Sequence, residues 1–220
     1  MAGLIYERFG AWCAFGAAAA GLAYSIAFVA TDSLTAEGLF LLLGGLLALP
    51  VFVALHERLR AVDGGFALLA LLLGLAASFG TAVHGGTALA DGINPPTVQE
   101  AVASDTAPAA DEDDIVTRPN EADPRGLATF GLTALAVLFF AWLAHRSAGL
   151  PGWVVWTGVA FGVLLILVYL ARLIVFDADD FFVRAPAGLA GFIAGPLWYL
   201  GVGLALLPGR KTDVADTAPL

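Results

Sequence analysis

Long apolar runs separated by short polar breaks dominate the chain, and they determine the predicted fold. A transmembrane helix needs about 20 largely apolar residues at a rise of 1.5 Å each, and six stretches of the sequence meet that length. They are roughly residues 9–30, 36–55, 64–90, 126–144, 152–176 and 184–207. We therefore predict an all-α integral membrane bundle of six transmembrane helices.

The polar breaks divide the chain into four parts. Residues 1–90 hold the first three helices, and residues 126–207 hold the last three. Between them, residues 91–125 are predicted to form an acidic extracytoplasmic loop whose low hydrophobicity and high charge favour partial disorder. Residues 208–220 are predicted to be a cytoplasmic tail. The first apolar run is longer than the core of a signal peptide, which has about 7–15 residues, so we expect it to be retained as a helix.

The positions of the charged residues predict how the bundle sits in the membrane. One set of helix ends carries six basic and five acidic residues, whereas the opposite set carries four basic and fourteen acidic ones. Cytoplasmic loops are enriched in lysine and arginine, so the first set, which includes both termini, is predicted to be cytoplasmic. We therefore expect a cell-membrane protein with both termini in the cytoplasm and an acidic outer face.

Composition supports a lipid environment and narrows the choice of partners. Hydrophobic residues make up 60% of the 220 residues and charged residues only 13%, against about 45–50% and about 25% in soluble domains. The lipid bilayer is therefore the first predicted partner. The net charge of −9 argues against a nucleic-acid partner, which calls for a basic face. Cys13 is the only cysteine, and no motif in the sequence implies a metal or a cofactor.

Small residues and prolines inside the runs predict close helix packing and local bends. In lipid, helices approach closely where glycine or another small residue faces the neighbouring backbone. The candidates are Gly44-Gly45, Gly85-Gly86, Gly158 with Gly162, and Gly191 with Gly195. Pro50 and Pro196 are each predicted to mark a kink. Trp198 and Tyr199 lie well inside the last run, so we expect them to pack against neighbouring helices or to line a cavity.

Two ionisable side chains fall inside the predicted spans, and they are the first candidates for a function. Ionisable groups within a bilayer are costly and usually have a role and a partner. His84 shares a helix face with Thr81 and Asp91, so Asp91 is expected to orient the imidazole, directly or through water, for carrying protons or sensing pH. The structural alternative is an imidazole hydrogen-bonded to a backbone carbonyl or to Thr81.

Arg172 lies near the outer end of the fifth run, from which its side chain can reach the membrane interface. Its expected role is a structural clamp with an acidic residue. The candidate partners are Asp32, Asp91, Asp177 and Asp179. The alternative is that its guanidinium grips an anionic ligand or a lipid head group.

Several short motifs from the third helix onward resemble those of a group of uncharacterised multi-pass membrane proteins of bacteria and archaea. They are Val83-His84-Gly85-Gly86 before Asn94-Pro95-Pro96, Pro119-Asn120 followed by Asp123-Pro124-Arg125-Gly126-Leu127, Tyr169-Leu170-Ala171-Arg172-Leu173-Ile174, and Gly195-Pro196-Leu197-Trp198-Tyr199. The resemblance implies a six-helix membrane fold, and no activity comes with it.

The segment before the fourth helix also has a local interpretation. Asp123 is placed to cap the start of that helix, and Arg125 is expected to meet the outer surface. The last loop residues should therefore be ordered and return over the mouth of the bundle. The ligand or proton candidates are His84, Asp91, Arg172, Thr81 and Tyr169, and the outer-mouth candidates are Asp123, Arg125, Asp177 and Arg184.

Two functions from different classes remain open at this point. In the first, the bundle binds or passes a small solute or protons at an outward-facing polar mouth, where His84, Asp91 and Arg172 converge on a water-accessible cavity. In the second, it is a non-catalytic accessory or scaffold protein whose acidic loop or helix faces contact another membrane protein or a second copy. Catalysis is the least favoured interpretation, because only Ser78 and Thr81 are nucleophiles near His84.

Overall fold

The computed structural model describes residues 2–31, 33–94, 123–147, 149–175 and 181–207, and no strand occurs among them. Six of its helices are long and apolar enough to cross a membrane. They are α1 (Ala2–Ala30), α2 (Leu34–Leu59), α3 (Gly64–Ile93), α4 (Leu127–Ser147), α5 (Gly152–Ile174) and α6 (Phe181–Leu206). The prediction of an all-α membrane bundle of six helices is confirmed.

Several helices extend beyond the apolar runs, and polar residues cap the starts of α2 and α3. The Ser33 hydroxyl accepts a hydrogen bond from the Ala36 N–H at 3.3 Å, and the Asp63 carboxylate accepts one from the Phe66 N–H at 3.2 Å. Such caps satisfy N–H groups that a helix start leaves without a partner. At its other end α3 continues through Asp91, which was expected to begin the loop. Most of the predicted acidic loop and the predicted tail lie outside the described residues.

Arg58 ties together one end of the bundle, called the terminal end here because the first turns of α1 and the last turns of α6 lie there. Its Nε donates to the carbonyl of Gly149 at 3.1 Å, and its Nη1 donates to the carbonyl of Ala205 at 3.0 Å. One side chain thereby joins the ends of α2 and α6 to the connection between α4 and α5. The opposite end, called the loop end, holds the starts of α2, α4 and α6.

α2 and α3 form the closest helix pair, and glycines make that approach possible. A Cβ atom at Gly45 would lie 2.8 Å from the Ser78 carbonyl oxygen and 2.8 Å from the Ala82 nitrogen. A Cβ atom at Gly85 would lie 2.8 Å from the Gly38 carbonyl oxygen. Any larger side chain would push the backbones apart. The predicted close approach at Gly45 and Gly85 is therefore confirmed.

This pair projects beyond the start of α4 at the loop end. Thr35, at the start of α2, packs against Gly92 near the end of α3, whereas α4 begins beside Gly80, whose position faces Ala128. Because a helix rises 1.5 Å per residue, roughly 20 Å of α3 stands beyond Gly80. The segment that leads into α4 packs against the side of this projecting part, where Asp123 lies beside His84.

Large aromatic side chains fill the middle of the bundle. The ring centroids of Phe52 and Phe140 are 5.9 Å apart, and Trp198 lies 6.4 Å from Phe52 and 6.0 Å from Phe161. Trp198 is buried on α6 and packs on the backbone of Gly158 in α5. The expectation that Trp198 packs against neighbouring helices is confirmed.

Two helices contain a widened, π-helical segment, Leu127–Leu132 in α4 and Ala190–Ala194 in α6. In α6 the N–H of Gly195 reaches the carbonyl of Ala190, five residues back. Pro196 follows directly, and a proline ring clashes with the regular helix turn before it, so the wider turn makes room for the ring. α2, in contrast, runs through Pro50 as a continuous α-helix.

Candidate functional site

A cavity of about 220 Å³ lies between the helices and reaches from the middle of the bundle towards the loop end. All six helices contribute to its wall. Aromatic side chains dominate the lining: Tyr24, Phe28, Phe40, Phe52, Phe130, Phe161, Phe192 and Tyr199. The polar side chains in the lining are Ser25, Ser78, Thr81, Thr129, Thr133, Arg172 and Arg184. An apolar cavity with a few polar groups is the usual form of a small-molecule site.

Both π-helical segments border this cavity. Thr129 and Phe130 from α4 and Gly191 and Phe192 from α6 belong to its lining. A π-helical turn is rare, and it often occurs at functional sites because it redirects side chains that a regular helix would place elsewhere. The two irregular turns therefore shape the wall on opposite sides of the cavity.

Arg172 contributes a positive charge to the cavity from the last turn of α5. Its guanidinium lies 5.4 Å from the centroid of the Phe130 ring, which is a cation–π contact. It forms no hydrogen bond or ion pair with another described residue. The predicted clamp with Asp91 is therefore not formed, because Asp91 lies on the projecting part of α3. The other predicted partners, Asp32, Asp177 and Asp179, lie outside the described residues.

Ser78 places an unusual hydroxyl in the cavity wall. Its residue is only 3% exposed, and its Oγ has no hydrogen-bond partner among the described residues. Buried polar atoms are nearly always hydrogen-bonded, and an unpaired one costs about 1–3 kcal/mol. The neighbouring hydroxyl of Ser25, by comparison, donates to the carbonyl of Gly21 at 3.0 Å. Ser78 thus leaves a buried polar group without a described partner beside the cavity.

A second polar cluster surrounds Asp123, immediately before α4. Its carboxylate accepts hydrogen bonds from the Ala128 N–H at 2.7 Å, the Thr129 N–H at 3.0 Å and the Thr129 hydroxyl at 2.6 Å. Asp123 is only 2% exposed. It caps α4, and that part of the sequence prediction is confirmed.

His84 faces this carboxylate from α3. Its Nδ1 lies 3.5 Å from an Asp123 carboxylate oxygen, a distance at which a protonated imidazole forms an ion pair, although the geometry is not that of a hydrogen bond. The expected partner Asp91 stands two turns farther along α3. The imidazole is therefore oriented by Asp123, because the chain returns against the side of α3 below its final turns.

The surroundings of Asp123 favour its charged form. Burial raises the pKa of its carboxyl, but the contact with His84 and the hydrogen bonds from Thr129 and Ala128 outweigh burial and lower the pKa to about 2. The carboxylate is thus charged throughout the physiological pH range. Its position is reinforced by a tight turn in which Arg125 and Gly126 have φ angles of 58° and 77°.

The structure distributes the predicted residues over two separate places. Arg172, Thr81 and Arg184 line the cavity, whereas His84 and Asp123 form the second cluster. The side chains that the structure places elsewhere are Asp91 in the last turns of α3, Tyr169 beside Gly131 in α4, and the exposed Arg125. Asp177 lies outside the described residues. Thr129 links the two places, since it lines the cavity and also bonds Asp123.

Several cavity residues were not singled out from the sequence. Tyr24, Phe130 and Ser25 are ordinary members of apolar helices in a chain with 15 phenylalanines and four tyrosines, so nothing in their local pattern distinguishes them. The sequence indicates Ser78 only as a nucleophile near His84, and its hydroxyl makes no hydrogen bond to that imidazole. The signal that separates these residues is their common position around one cavity, which only the fold reveals.

No site for a metal emerges within the described ranges, where no group of three or more His, Cys, Asp or Glu side chains is close enough to hold an ion. Comparison with known proteins adds no family: no family model, no curated protein and no solved structure matches the chain. The resemblance of its motifs to a group of membrane proteins therefore stays a prediction. The site geometry alone carries the functional argument.

Proposed function

We propose that this multi-pass membrane protein binds a small, largely apolar solute in the cavity at the loop end of its bundle. The observation that carries the proposal is the cavity itself, with its aromatic wall and its small set of polar groups. Ligand pockets usually measure about 300–1,000 Å³, so a volume of about 220 Å³ favours a compact molecule. Passage of the bound solute across the membrane is a second step of the same proposal.

The lining favours a solute over protons. Proton relays in membranes use chains of carboxylates and imidazoles, and among the described residues neither kind of side chain lines the cavity. The titratable pair of His84 and Asp123 lies outside the lining and is joined to it through Thr129. This arrangement supports a structural or regulatory role for the pair beside a solute site.

We further propose that the loop end faces the outside of the cell. The distribution of lysine and arginine supports this orientation, because the terminal end carries most of the basic residues. In that orientation both termini are cytoplasmic, the protein resides in the cell membrane, and the cavity is accessible from the outside.

Binding of a neutral probe to plugged variants tests the proposed function. A Cβ atom at Gly21 or Gly188 would meet nothing within 4 Å, and both glycines line the cavity. Gly21→Phe and Gly188→Phe should therefore fill it without disturbing helix contacts. Gly86 has equally open surroundings but is not in the lining, which makes Gly86→Phe the matched control.

The measurement is equilibrium dialysis of radiolabelled benzyl alcohol against the protein in lipid nanodiscs, with empty nanodiscs as the blank. We expect saturable binding to the wild type and to Gly86→Phe, and its loss in both plugged variants. Equal binding to plugged and unplugged proteins, or no binding above the blank, would contradict the proposal.

A further inference from the structure

The charged side chains of the cavity all have the same sign. Its two ionic members are Arg172 and Arg184, and the described part of the chain contributes no acidic side chain to the lining. Glu37 on α2 acts electrostatically on Tyr24, as Arg172 does, but it is not part of the wall. Arg184 takes part in another interaction, so the charge of Arg172 is the one that favours an anion in the interior.

Arg172 is the group best placed to hold that anion. It is half-buried, it acts electrostatically on Tyr24, and it contacts the face of Phe130, but it forms no hydrogen bond or ion pair with a described residue. A guanidinium carries five N–H donors in a planar fork that matches a carboxylate or a phosphate. The contact with Phe130 positions the guanidinium beside the ring, and its N–H groups bond no described residue.

Size and shape limit the rest of the molecule. The volume of about 220 Å³ lies below the range of about 300–1,000 Å³ that is usual for ligand pockets, so it favours a compact molecule. The aromatic wall favours an apolar body, such as one ring or a short hydrocarbon chain.

Ser78 adds a second, independent indication of a ligand. Its unpaired, buried hydroxyl belongs to the same wall as Arg172. A ligand with a hydroxyl or carbonyl group that reaches Ser78 would satisfy this hydroxyl. Polar groups placed in this way fix the orientation of a ligand in an otherwise apolar site.

We propose that the cavity binds a small organic anion with an apolar body, held by Arg172 through its charge and by Ser78 through a hydrogen bond. This inference rests on the proposed function and specifies its ligand class. The anionic group comes either from a free carboxylate or phosphate ester or from the head group of a lipid, since a guanidinium binds both in the same way.

Three probes that share one ring and differ in charge test the role of Arg172: benzoate, benzyl alcohol and benzylamine. Their binding is measured by equilibrium dialysis against the protein in phosphatidylcholine nanodiscs. We expect benzoate to bind the wild type at least about tenfold more tightly than benzyl alcohol, and benzylamine to bind most weakly. Arg172→Gln should remove the preference for benzoate and retain the binding of benzyl alcohol.

Arg146 provides the matched control. Its guanidinium stacks 5.0 Å from the Trp142 ring, much as Arg172 stacks on Phe130, but it lies in the last turn of α4 and outside the cavity lining. Arg146→Gln should leave the preference for benzoate intact. An unchanged ratio of benzoate to benzyl alcohol affinity in Arg172→Gln would overturn the inference, while retained binding of benzyl alcohol in that variant would leave the proposed function standing.

A fourth probe, 4-hydroxybenzoate, tests Ser78. One added hydrogen bond contributes about 0.5–1.5 kcal/mol, so the wild type should bind 4-hydroxybenzoate about threefold to tenfold more tightly than benzoate. Ser78→Ala should abolish that advantage without changing benzoate affinity. If the advantage persists in Ser78→Ala, the assigned hydrogen bond is wrong.

Competition separates the two possible sources of the anion. Monomers of dihexanoylphosphatidylglycerol should displace benzoate if a lipid head group is the natural occupant, and inorganic phosphate together with short carboxylates should displace it if the occupant is a free solute. Either result supports an anion site at Arg172. If neither competitor displaces benzoate, and if Arg172→Gln leaves the affinity for benzoate unchanged, the anion site at Arg172 is wrong.

Discussion

Asp123 shows how one side chain organises the chain where it re-enters the bundle. Its carboxylate holds the first N–H groups of α4, bonds the hydroxyl of Thr129 and faces the imidazole of His84. Each of these interactions is stronger with the charged form of the carboxyl. The start of α4, which lines the cavity, is therefore positioned by a buried charge that is fully compensated.

The stability of the protein should depend on the charge of Asp123. Its pKa is lowered to about 2, below the value of about 3.9 for an unfolded chain, so its contribution is fully present above about pH 4 and is lost as the pH falls through about 2. The pKa difference corresponds to about 2–3 kcal/mol. We expect Asp123→Asn to lower the free energy of unfolding by that amount at pH 7, and the difference from the wild type to vanish near pH 2.

Asp63 is the matched control for this experiment. It caps α3 with one hydrogen bond to the Phe66 N–H, and that bond is exposed to solvent. Asp63→Asn should therefore change the free energy of unfolding by less than about 1 kcal/mol. Unfolding is measured by denaturant titration in detergent micelles between pH 7 and pH 2. A pH-independent difference between Asp123→Asn and the wild type would show that the carboxylate is not stabilised in its charged form.

At the scale of helices, the contact between α2 and α3 fixes the geometry of the loop end. Glycines at Gly38, Gly45 and Gly85 bring the two backbones into direct contact. In a bilayer such packing replaces the hydrophobic effect as the main attraction between helices. The resulting pair forms one wall of the cavity through Gly44, Gly45 and Ser78.

Gly45→Ala should destabilise the bundle, although alanine favours a helix by about 1 kcal/mol over glycine. The new Cβ would lie 2.8 Å from two backbone atoms of α3, and overpacking of this kind costs about 1–3 kcal/mol. Gly86→Ala has open space for its Cβ, so it should leave the protein unchanged or slightly more stable. Thermal unfolding of both variants checks this, and equal melting temperatures for the two would contradict the close contact.

The sequence predicted the helices better than it predicted their details, and the reasons are physical. Run length determines which segments can cross a bilayer, so all six helices were found. Their ends were less accurate, because a helix continues into polar residues where its backbone remains hydrogen-bonded, as α2 does from Leu34, which the Ser33 cap precedes. The π-helical turns were not predicted, because the width of a turn depends on packing around Pro196 and on the anchoring of α4 by Asp123.

The sequence predicted some residues of the candidate site but not the contacts between them. Arg172 and Thr81 were identified because polar groups are rare inside membrane spans, and both line the cavity. The partner of His84 was assigned to Asp91 by helix periodicity, whereas Asp123 approaches from a distant part of the chain. Contacts between segments that are far apart in sequence leave no local pattern, and the convergence of six helices on one cavity is of this kind.

At the scale of the whole molecule, the two ends of the bundle differ: the helices pack closely at the terminal end, and the cavity opens between them towards the loop end. Arg58 holds the terminal end together, and the aromatic cluster around Trp198 fills the middle of the bundle. In the loop half, the α2–α3 pair, the start of α4 and the π-helical turn of α6 leave space between them.

The central claim is that the cavity is open to the outside of the cell, and thiol labelling tests it most directly. Cys13 is the only cysteine and is buried, so Cys13→Ala provides a background for Ser78→Cys in the cavity wall. Ala77→Cys is the control, because Ala77 is fully buried outside the lining. A membrane-impermeant thiol reagent is applied to right-side-out and to inside-out vesicles, and the labelling rate is measured.

We predict that Ser78→Cys is labelled from the outer side only, that Gly188→Phe strongly slows this labelling, and that Ala77→Cys is not labelled. Labelling of Ser78→Cys from the inner side, or no labelling from either side in the folded protein, would contradict an outward-open binding cavity.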